Sequence, residues 1–534
     1  MSQAAEGAQG EGNRFVRGFL SFASATFISR ILGFVRDMVV AMFYGASHAA
    51  DAFFIAFSIP SLLRRLFAEG SLSASFVSVF SKTVANEGEV RAREVFQRVF
   101  TLLGTTLLAI TLAGVLLAPL LVWIIVPGFR ETPGKYELTV LLTQIMFPYL
   151  LFIGLATVVM GTLNTHGKFF IASLTPLILN VAMISACAIG AYWYNNSIVA
   201  LAVGVAIGGA LQLIMQLPSL WGQNYRIRLR WAPQDPAVKR IITLMIPGIF
   251  GLAVAQINTT IDGIVASFLA AGSVSFLYYA NRLVQFPLGV FGIAISTAIL
   301  PGLSRASGSN DTLGLNDLLR QGNHLIFFIT LPCVIGLLIV GYEILEMLLV
   351  RGEFTLDNAW NTYLALATYS LGLLAFSLTK MTASVFYSFE ESRTPVKAGI
   401  VAMVINAVLN VAFMYPFGHA GLALATSLAS WANFWYLWHA LHRKRSEITV
   451  RFFDREIGKI TLLCGLLGVV LLATRYALNH FTIPATGQVA LQLPLAVIFY
   501  GVGAKLLGLG SYRFLLDNMR RKKDTKRVNA DHGE

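Results

Sequence analysis

Long apolar segments recur along almost the whole chain, and they restrict its fold more than any other feature of the sequence. They begin near residue 15 and continue to residue 509. A helix needs about 20 apolar residues to cross a hydrocarbon core of roughly 30 Å. Only 13% of the 534 residues are charged, whereas soluble domains carry about 25%. The sequence therefore predicts an all-α polytopic membrane protein without a soluble domain between its spans.

The segments predict about fourteen transmembrane helices. We place them at residues 15–44, 49–81, 99–126, 138–163, 170–193, 197–219, 240–270, 273–303, 323–345, 360–388, 396–416, 420–440, 457–477 and 488–509. The ends are too polar to form a core, so 1–13 is expected to be a disordered cytoplasmic tail and 513–534 a basic cytoplasmic tail. No cleavable signal peptide is expected, because the first apolar segment is long and lacks a processing site.

Basic residues are distributed unevenly between the two predicted sides of the membrane. If both termini are cytoplasmic, 29 of the 40 Lys and Arg residues fall in the tails and inner loops. The four in outer loops or at the outer ends of helices are Arg130, Lys135, Arg351 and Arg475. This bias is what the positive-inside rule requires of a protein of the cytoplasmic (inner) membrane. The net charge of +13 then reflects topology and contact with anionic membrane lipids, and nucleic acid is not an expected partner.

Two segments share a pattern that indicates an internal repeat. Pro60 follows Gly45 at the same distance at which Pro287 follows Gly272, and these segments lie six helices apart. Two pseudo-symmetric six-helix lobes around a central cavity are therefore predicted, with two extra C-terminal helices. The bounds are 14–225 for the N-lobe (helices 1–6), 226–445 for the C-lobe (helices 7–12) and 446–512 for helices 13 and 14. Segment 49–81 is longer than the bilayer is thick, so we expect it to bend at Pro60.

Seven basic residues lie well inside predicted helices, away from their ends, where an Arg costs at least ~2.5–3.5 kcal/mol unless it faces water or a partner. They are Arg30, Arg36, Arg64, Arg65, Arg282, Lys380 and Lys505. Any one of them could belong to a structural ion pair or extend to an interface, and Arg65 and Lys505 fit the latter best. The nearby acids Asp37, Asp51 and Glu69 are too few to neutralise the rest. The surplus predicts an anionic substrate, and the planar guanidinium suits phosphate or diphosphate.

A second group of residues could hold a small cation. Asp262 lies in the seventh segment, Asn406 and Asn410 are one turn apart in the eleventh, and Thr426 follows in the twelfth. Their oxygen atoms suit Na⁺. The alternative is that the Asn pair forms hydrogen bonds between helices.

The sequence contains no ATP-binding loop of the Gly-x-x-x-x-Gly-Lys-Ser/Thr type. It also lacks a pattern typical of a metal-ligand cluster or a nucleophile with its base. We therefore expect a transporter rather than an enzyme, without a required cofactor. Its energy would come from the membrane potential, an ion gradient or both.

Several motifs resemble those of the MurJ/MviN-type lipid II flippases of the MOP transporter superfamily. They are SRILGFVRD at 29–37, DAFF at 51–54, LRRLFAEG at 63–70, YYANRL at 278–283 with Phe286-Pro287, FYS at 386–388 and TPVK at 394–397. The similarity covers helices 1–12 closely and the last two helices by hydropathy.

This resemblance implies a flippase that carries the undecaprenyl-diphosphate-linked peptidoglycan precursor outward by alternating access. It implies cavity cations at Arg30, Arg36, Arg64 and Arg282, with Asp37 beside Arg36, Asp51 as a required acid and Lys380 as a further base. Asn281 and Gln285 stand where relatives often have acids. Helices 13 and 14 would form a groove for the lipid tail, and Na⁺ would bind Asp262, Asn406, Asn410 and Thr426. Lipid II, membrane lipids and the division or elongation machinery are the implied partners.

Three other functions compete with this interpretation. A multidrug or cation exporter of the same superfamily needs acids in its cavity, and this cavity would be net positive. A flippase for another diphosphate-linked oligosaccharide would need the same arginines. A non-transporting scaffold for envelope assembly would have no use for buried cationic charge.

Overall fold

The computed structural model describes residues 28–66, 71–193, 197–309, 311–481 and 483–517. The predicted tail 1–13, the start of the first helix, Glu69 and most of the basic tail lie outside these residues. The described chain divides into two compact units. The first contains the described residues up to Ser275 together with Arg351–Phe354, and the second contains Phe276–Val350 and the residues from Thr355 onward.

The described residues of the first unit form ten helices and one 3₁₀ turn, Pro127–Glu131. The helices are α1 (28–44), α2 (His48–Arg64), α3 (Ser71–Leu116), α4 (Ala118–Ile125), α5 (Lys135–Met146), α6 (Pro148–Thr165), α7 (Phe169–Trp193), α8 (Ile198–Ile214), α9 (Leu217–Gly222) and α10 (Pro236–Ala266).

The second unit contains the remaining helices and one π-helical turn, Leu288–Gly292. The helices are α11 (Ser273–Pro287), whose first turn belongs to the first unit, α12 (Ile293–Gly308), α13 (Thr312–Leu349), α14 (Leu356–Ser388), α15 (Arg393–Lys444), α16 (Arg455–His480), α17 (Ala485–Leu506) and α18 (510–517).

The all-helical prediction is confirmed. In the described ranges the only β-type pairing is an isolated bridge between Arg351 and Phe354. Ten helical stretches there are long and apolar enough to cross a membrane. The chain is thus a multi-pass membrane protein, and the count of fourteen spans stays a prediction, as do the predicted lobe boundaries.

Single glycines reverse the chain inside two of the longest helices. Lys444 donates to the Thr394 hydroxyl at 2.7 Å, although a straight helix would separate them by about 75 Å. The reversal lies at Gly418, whose φ of +56° interrupts α15. Likewise Phe80 and Phe96 both lie about 6 Å from the Tyr225 ring, because Gly88 turns the chain with φ +80°. The predicted division between helices 11 and 12 matches the first reversal.

The predicted helix 49–81 corresponds to α2 (His48–Arg64), to π-type backbone at 65–66 and to the start of α3 from Ser71. Residues 67–70 lie outside the described ranges, so its continuity and the expected bend at Pro60 stay predictions. The predicted loop 82–98 is also helical apart from Gly88. The polar composition of residues 82–98 favours a loop, but α3 is helical beyond its apolar part. The Gly–Pro repeat itself has a local structural counterpart: Gly45 and Gly272 both have positive φ, and π-type backbone follows Arg64 as it follows Pro287.

A charged cluster joins the polar part of α3 to the start of α10. Asp235 accepts hydrogen bonds from Arg98 and, at 2.8 Å, from Arg91, and its other oxygen caps α10 through the Ala237 amide. Burial alone would raise the pKa of Asp235, but these arginines and the amide outweigh it, so its pKa lies below the usual 3.8. The carboxylate therefore stabilises this junction above that pH.

We expect Asp235→Asn to lower the Tm of the detergent-solubilised protein by about 5 °C at pH 7, because Arg91 and Arg98 lose their buried anion and keep only the more exposed Glu87 and Glu94. A carboxylate with a lowered pKa stabilises the fold at pH above its unfolded pKa and loses this effect as pH falls through its folded pKa. The Tm difference between wild type and variant should therefore stay constant down to about pH 4 and shrink below it. A pH-independent difference would contradict the assignment.

Two glycines allow direct backbone contact between the α1–α2 turn and the segment Arg351–Phe354. The Glu353 amide donates to the Met42 carbonyl at 2.9 Å. A Cβ on Gly352 would lie 2.2 Å from that carbonyl oxygen, and one on Gly45 would lie 2.5 Å from the Glu353 oxygen. Both glycines also have φ of +58°. This contact therefore excludes any side chain at either position.

Gly352→Ala should lower the Tm by clearly more than Gly167→Ala. Gly167 is the matched control because it also has positive φ, but a Cβ added there would meet no atom within 4 Å. We expect a shift of about 2 °C for the control, from backbone strain, and about 5 °C or more for Gly352→Ala. Equal shifts would show that the close approach contributes nothing.

Candidate substrate site

Arg36 is a buried cation with a complete set of partners in the first unit. Its guanidinium binds one Asp37 oxygen through two nitrogens, at 2.6 and 3.0 Å. Its third nitrogen donates to the Asn180 side chain of α7 at 3.1 Å, and Asn180 in turn donates to the Ser29 carbonyl. Arg36 and Asp37 are only 8% and 3% exposed. Their charges are therefore balanced locally, and α7 fixes the direction of the guanidinium.

The side chains of the other predicted cations of this unit are more exposed than that of Arg36. Arg30 is exposed on α1, and Arg64 is half-buried at the end of α2. Arg65 is exposed and donates to Gln256 of α10 at 3.4 Å. A permanent charge on an apolar helix needs water, headgroups or an anion around it. Arg30 is thus available to an anionic ligand in a way that Arg36 is not.

The predicted site residues of the second unit lie on α11 and α14. Asn281 and Gln285 are exposed and joined by a hydrogen bond of 3.3 Å, and Arg282 between them is half-buried. Arg282 is nine residues from the start of α11, about 14 Å along the helix. Lys380 is exposed on α14, eight residues before that helix ends. The structure thus brings Asn281 and Gln285 together and leaves Lys380 open.

Asp51 is completely enclosed. One carboxylate oxygen accepts from the Ser275 amide and hydroxyl at 2.9 and 2.7 Å. The other accepts from the Gly272 amide at 2.8 Å and from the Lys135 ammonium at 2.9 Å. Lys135, expected in an outer loop, is the first residue of α5 and 5% exposed. Counting charges along the sequence could not reveal this pair, because its members are far apart in the chain.

Arg475, another charge expected in an outer loop, lies instead within α16. It binds Glu343 of α13 at 2.6 Å, and Glu343 is 4% exposed. Sequence reasoning missed this pair as well as Asn180, because neither Asn nor Glu within a helix carries a signal of its spatial partner.

The predicted cation-site residues are divided between the units. Asp262 is half-buried on α10 in the first unit. In the second, Asn406 and Asn410 are buried one turn apart on α15, and Thr426 donates its hydroxyl to the Leu422 carbonyl of the same helix. The donor set is chemically suited to Na⁺. The site stays a prediction.

Comparison with known proteins gives a consistent family. The family described as lipid II flippase MurJ matches residues 40–493. A probable lipid II flippase MurJ of Vibrio cholerae is 42% identical over 441 residues, covering 80% of this chain and 83% of that protein. Its counterpart in Haemophilus influenzae is 35% identical over 515 residues, covering 92% of this chain and all of that protein.

Comparison with solved structures supports the same family. A lipid II flippase MurJ in an inward closed conformation superposes with a TM-score of 0.77 at 27% identity, covering 93% of this chain and 99% of that one. An inward-facing multidrug resistance MATE transporter of the MOP superfamily, at 15% identity, shares the fold alone, with a TM-score of 0.65 over 80% of this chain and 98% of its own. The chain belongs to the lipid II flippase MurJ family.

Proposed function

We propose that this protein is a lipid II flippase of the cytoplasmic (inner) membrane, with both termini cytoplasmic. It would move the undecaprenyl-diphosphate-linked peptidoglycan precursor to the outer leaflet by alternating access. Family membership supports the substrate. The observation on the chain itself that carries the proposal is the set of basic residues within apolar helices, which no multidrug exporter of cations would need.

The two predicted acids of the first unit are already occupied. Asp37 binds Arg36, and Asp51 binds Lys135. Neither therefore offsets Arg30 of the same unit, which is exposed. Lys380 of the second unit is exposed as well. Cations left open on membrane helices attract an anion, and a diphosphate offers several acceptor oxygens to the planar guanidinium.

The membrane potential is the energy source that best suits an anionic substrate. Each charge that crosses gains or loses ~2.3 kcal/mol per 100 mV. With a negative interior, the potential favours outward movement of the diphosphate. A Na⁺ gradient acting through Asp262, Asn406, Asn410 and Thr426 is a second source within this proposal.

Arg282→Ala should abolish lipid II exposure at the outer face of cells in which this protein is the only flippase. The reason is the loss of a guanidinium from the apolar helix α11. Arg282→Lys should recover little, because a Lys cannot make the bidentate contact. Exposure is measured with an externally added reagent that binds or cleaves lipid II, at membrane levels matched by immunoblot.

Arg228→Ala is the matched control, since Arg228 is exposed in the connection before α10. It should leave exposure unchanged. Wild-type exposure in Arg282→Ala at equal membrane levels would contradict the proposed role of this cation.

Substitution of Asn180 tests whether Arg36 acts through its direction and charge. Asn180→Ala removes one acceptor from the guanidinium, and we expect lipid II exposure to fall about tenfold. Asn180→Asp keeps an acceptor but adds a negative charge beside Arg36, so it should be at least as harmful. Full activity of Asn180→Asp would show that the charge balance around Arg36 is unimportant.

A further inference from the structure

We propose that Lys135 is a positioning residue for the flipping cycle. It holds Asp51, and Asp51 fixes the first turn of α11, the helix that carries Asn281 and Arg282. The inference rests on the proposed function and deepens it. It assigns a role to a basic residue that charge counting along the sequence placed in an outer loop.

The contacts of Asp51 leave no room for a cargo. The residue is 0% exposed, and each carboxylate oxygen has two donors. Three of those four donors come from Ser275 in the first turn of α11 and from Gly272, the residue directly before the helix. Asp51 of α2 therefore influences the substrate only indirectly, through the position of the first turn of α11.

The position of Asp51 explains why α11 needs it. The first amides of a helix have no partner within the helix. The Ser275 amide is one of these, and an anion is favoured there by the helix dipole. Gly272, with φ of +87°, turns the chain so that its amide also points to the carboxylate. Arg282 follows Ser275 by two turns, about 10 Å, so tilting the first turn displaces the guanidinium.

The location of Lys135 indicates that it serves Asp51 and not its own helix. A cation at the N-terminus of α5 is opposed by the helix dipole. It is also 5% exposed, which makes an unpaired ammonium costly. Its compensation is the Asp51 oxygen at 2.9 Å and the Phe129 ring, whose centroid is 4.0 Å from the ammonium.

This arrangement predicts a specific pattern of double substitution. Asp51→Asn leaves the Lys135 ammonium buried without its anion, which is worse than losing both charges. Adding Lys135→Met should therefore restore part of the function. If Asp51 instead touched the substrate, the second substitution would restore nothing.

The test measures two quantities in Asp51→Asn, Lys135→Met, the double variant and Lys168→Met, an exposed control lysine. The first is lipid II exposure at matched membrane levels. The second is N-ethylmaleimide labelling of an S273C thiol in the first turn of α11, a position only 3% exposed. The native cysteines are free and set the background, which is subtracted using the same variants without S273C.

We expect Asp51→Asn to lower lipid II exposure about tenfold or more and to raise labelling similarly. Relative to Asp51→Asn, the double variant should show at least about threefold more lipid II exposure and about threefold less labelling. Lys168→Met should match wild type in both quantities. A double variant no better than Asp51→Asn in either quantity overturns the role of Lys135. Absence of lipid II exposure by wild type would refute the proposed function, while the labelling pattern would still decide the positioning role.

Discussion

A charge inside an apolar bilayer must be matched by an opposite charge, by hydrogen-bonding groups or by water, and the arrangement of this protein follows from that cost. Several basic side chains in the described part of the chain pair with acids on this principle. Arg36 binds Asp37, Lys135 binds Asp51, and Arg475 binds Glu343. The Lys135–Asp51 pair joins α5 to α2, and the Arg475–Glu343 pair joins α16 to α13. Arg36, which Asp37 holds, also donates a hydrogen bond to Asn180 of α7. These pairs therefore stabilise the packing of the helices, whereas under the proposed function the exposed Arg30 and Lys380 remain for an anion.

This division connects the fold to transport. Asp51 sets the first turn of α11, and Arg282 follows two turns later on the same helix. Asn180 of α7 sets the direction of the Arg36 guanidinium. The membrane excludes water that would otherwise screen these charges, so small changes in their positions alter the attraction for a diphosphate strongly. Under the proposed function, flipping a large lipid-linked anion therefore depends on how firmly the helices hold these guanidinium groups in position.

Much of the fold could be predicted from the sequence, because spanning a membrane requires long apolar helices. The boundary between helices 11 and 12 coincides with the reversal at Gly418. The π-type backbone after Arg64 and the near-continuous helix through residues 82–98 could not be predicted, because apolar content does not mark where an α-helix ends. The sequence identified Arg36 and Asp51 as unusual. It could not identify Asn180 or Lys135, whose importance comes only from contacts 144 and 84 residues away in the chain.

The most direct test of the central claim uses purified protein in liposomes that contain lipid II labelled in its headgroup. Transfer between leaflets is followed with and without an imposed potential, against protein-free vesicles. We expect protein-dependent transfer, which should be faster when the potential drives the diphosphate toward the positive side. Transfer no faster than in protein-free vesicles, with or without a potential, would contradict it.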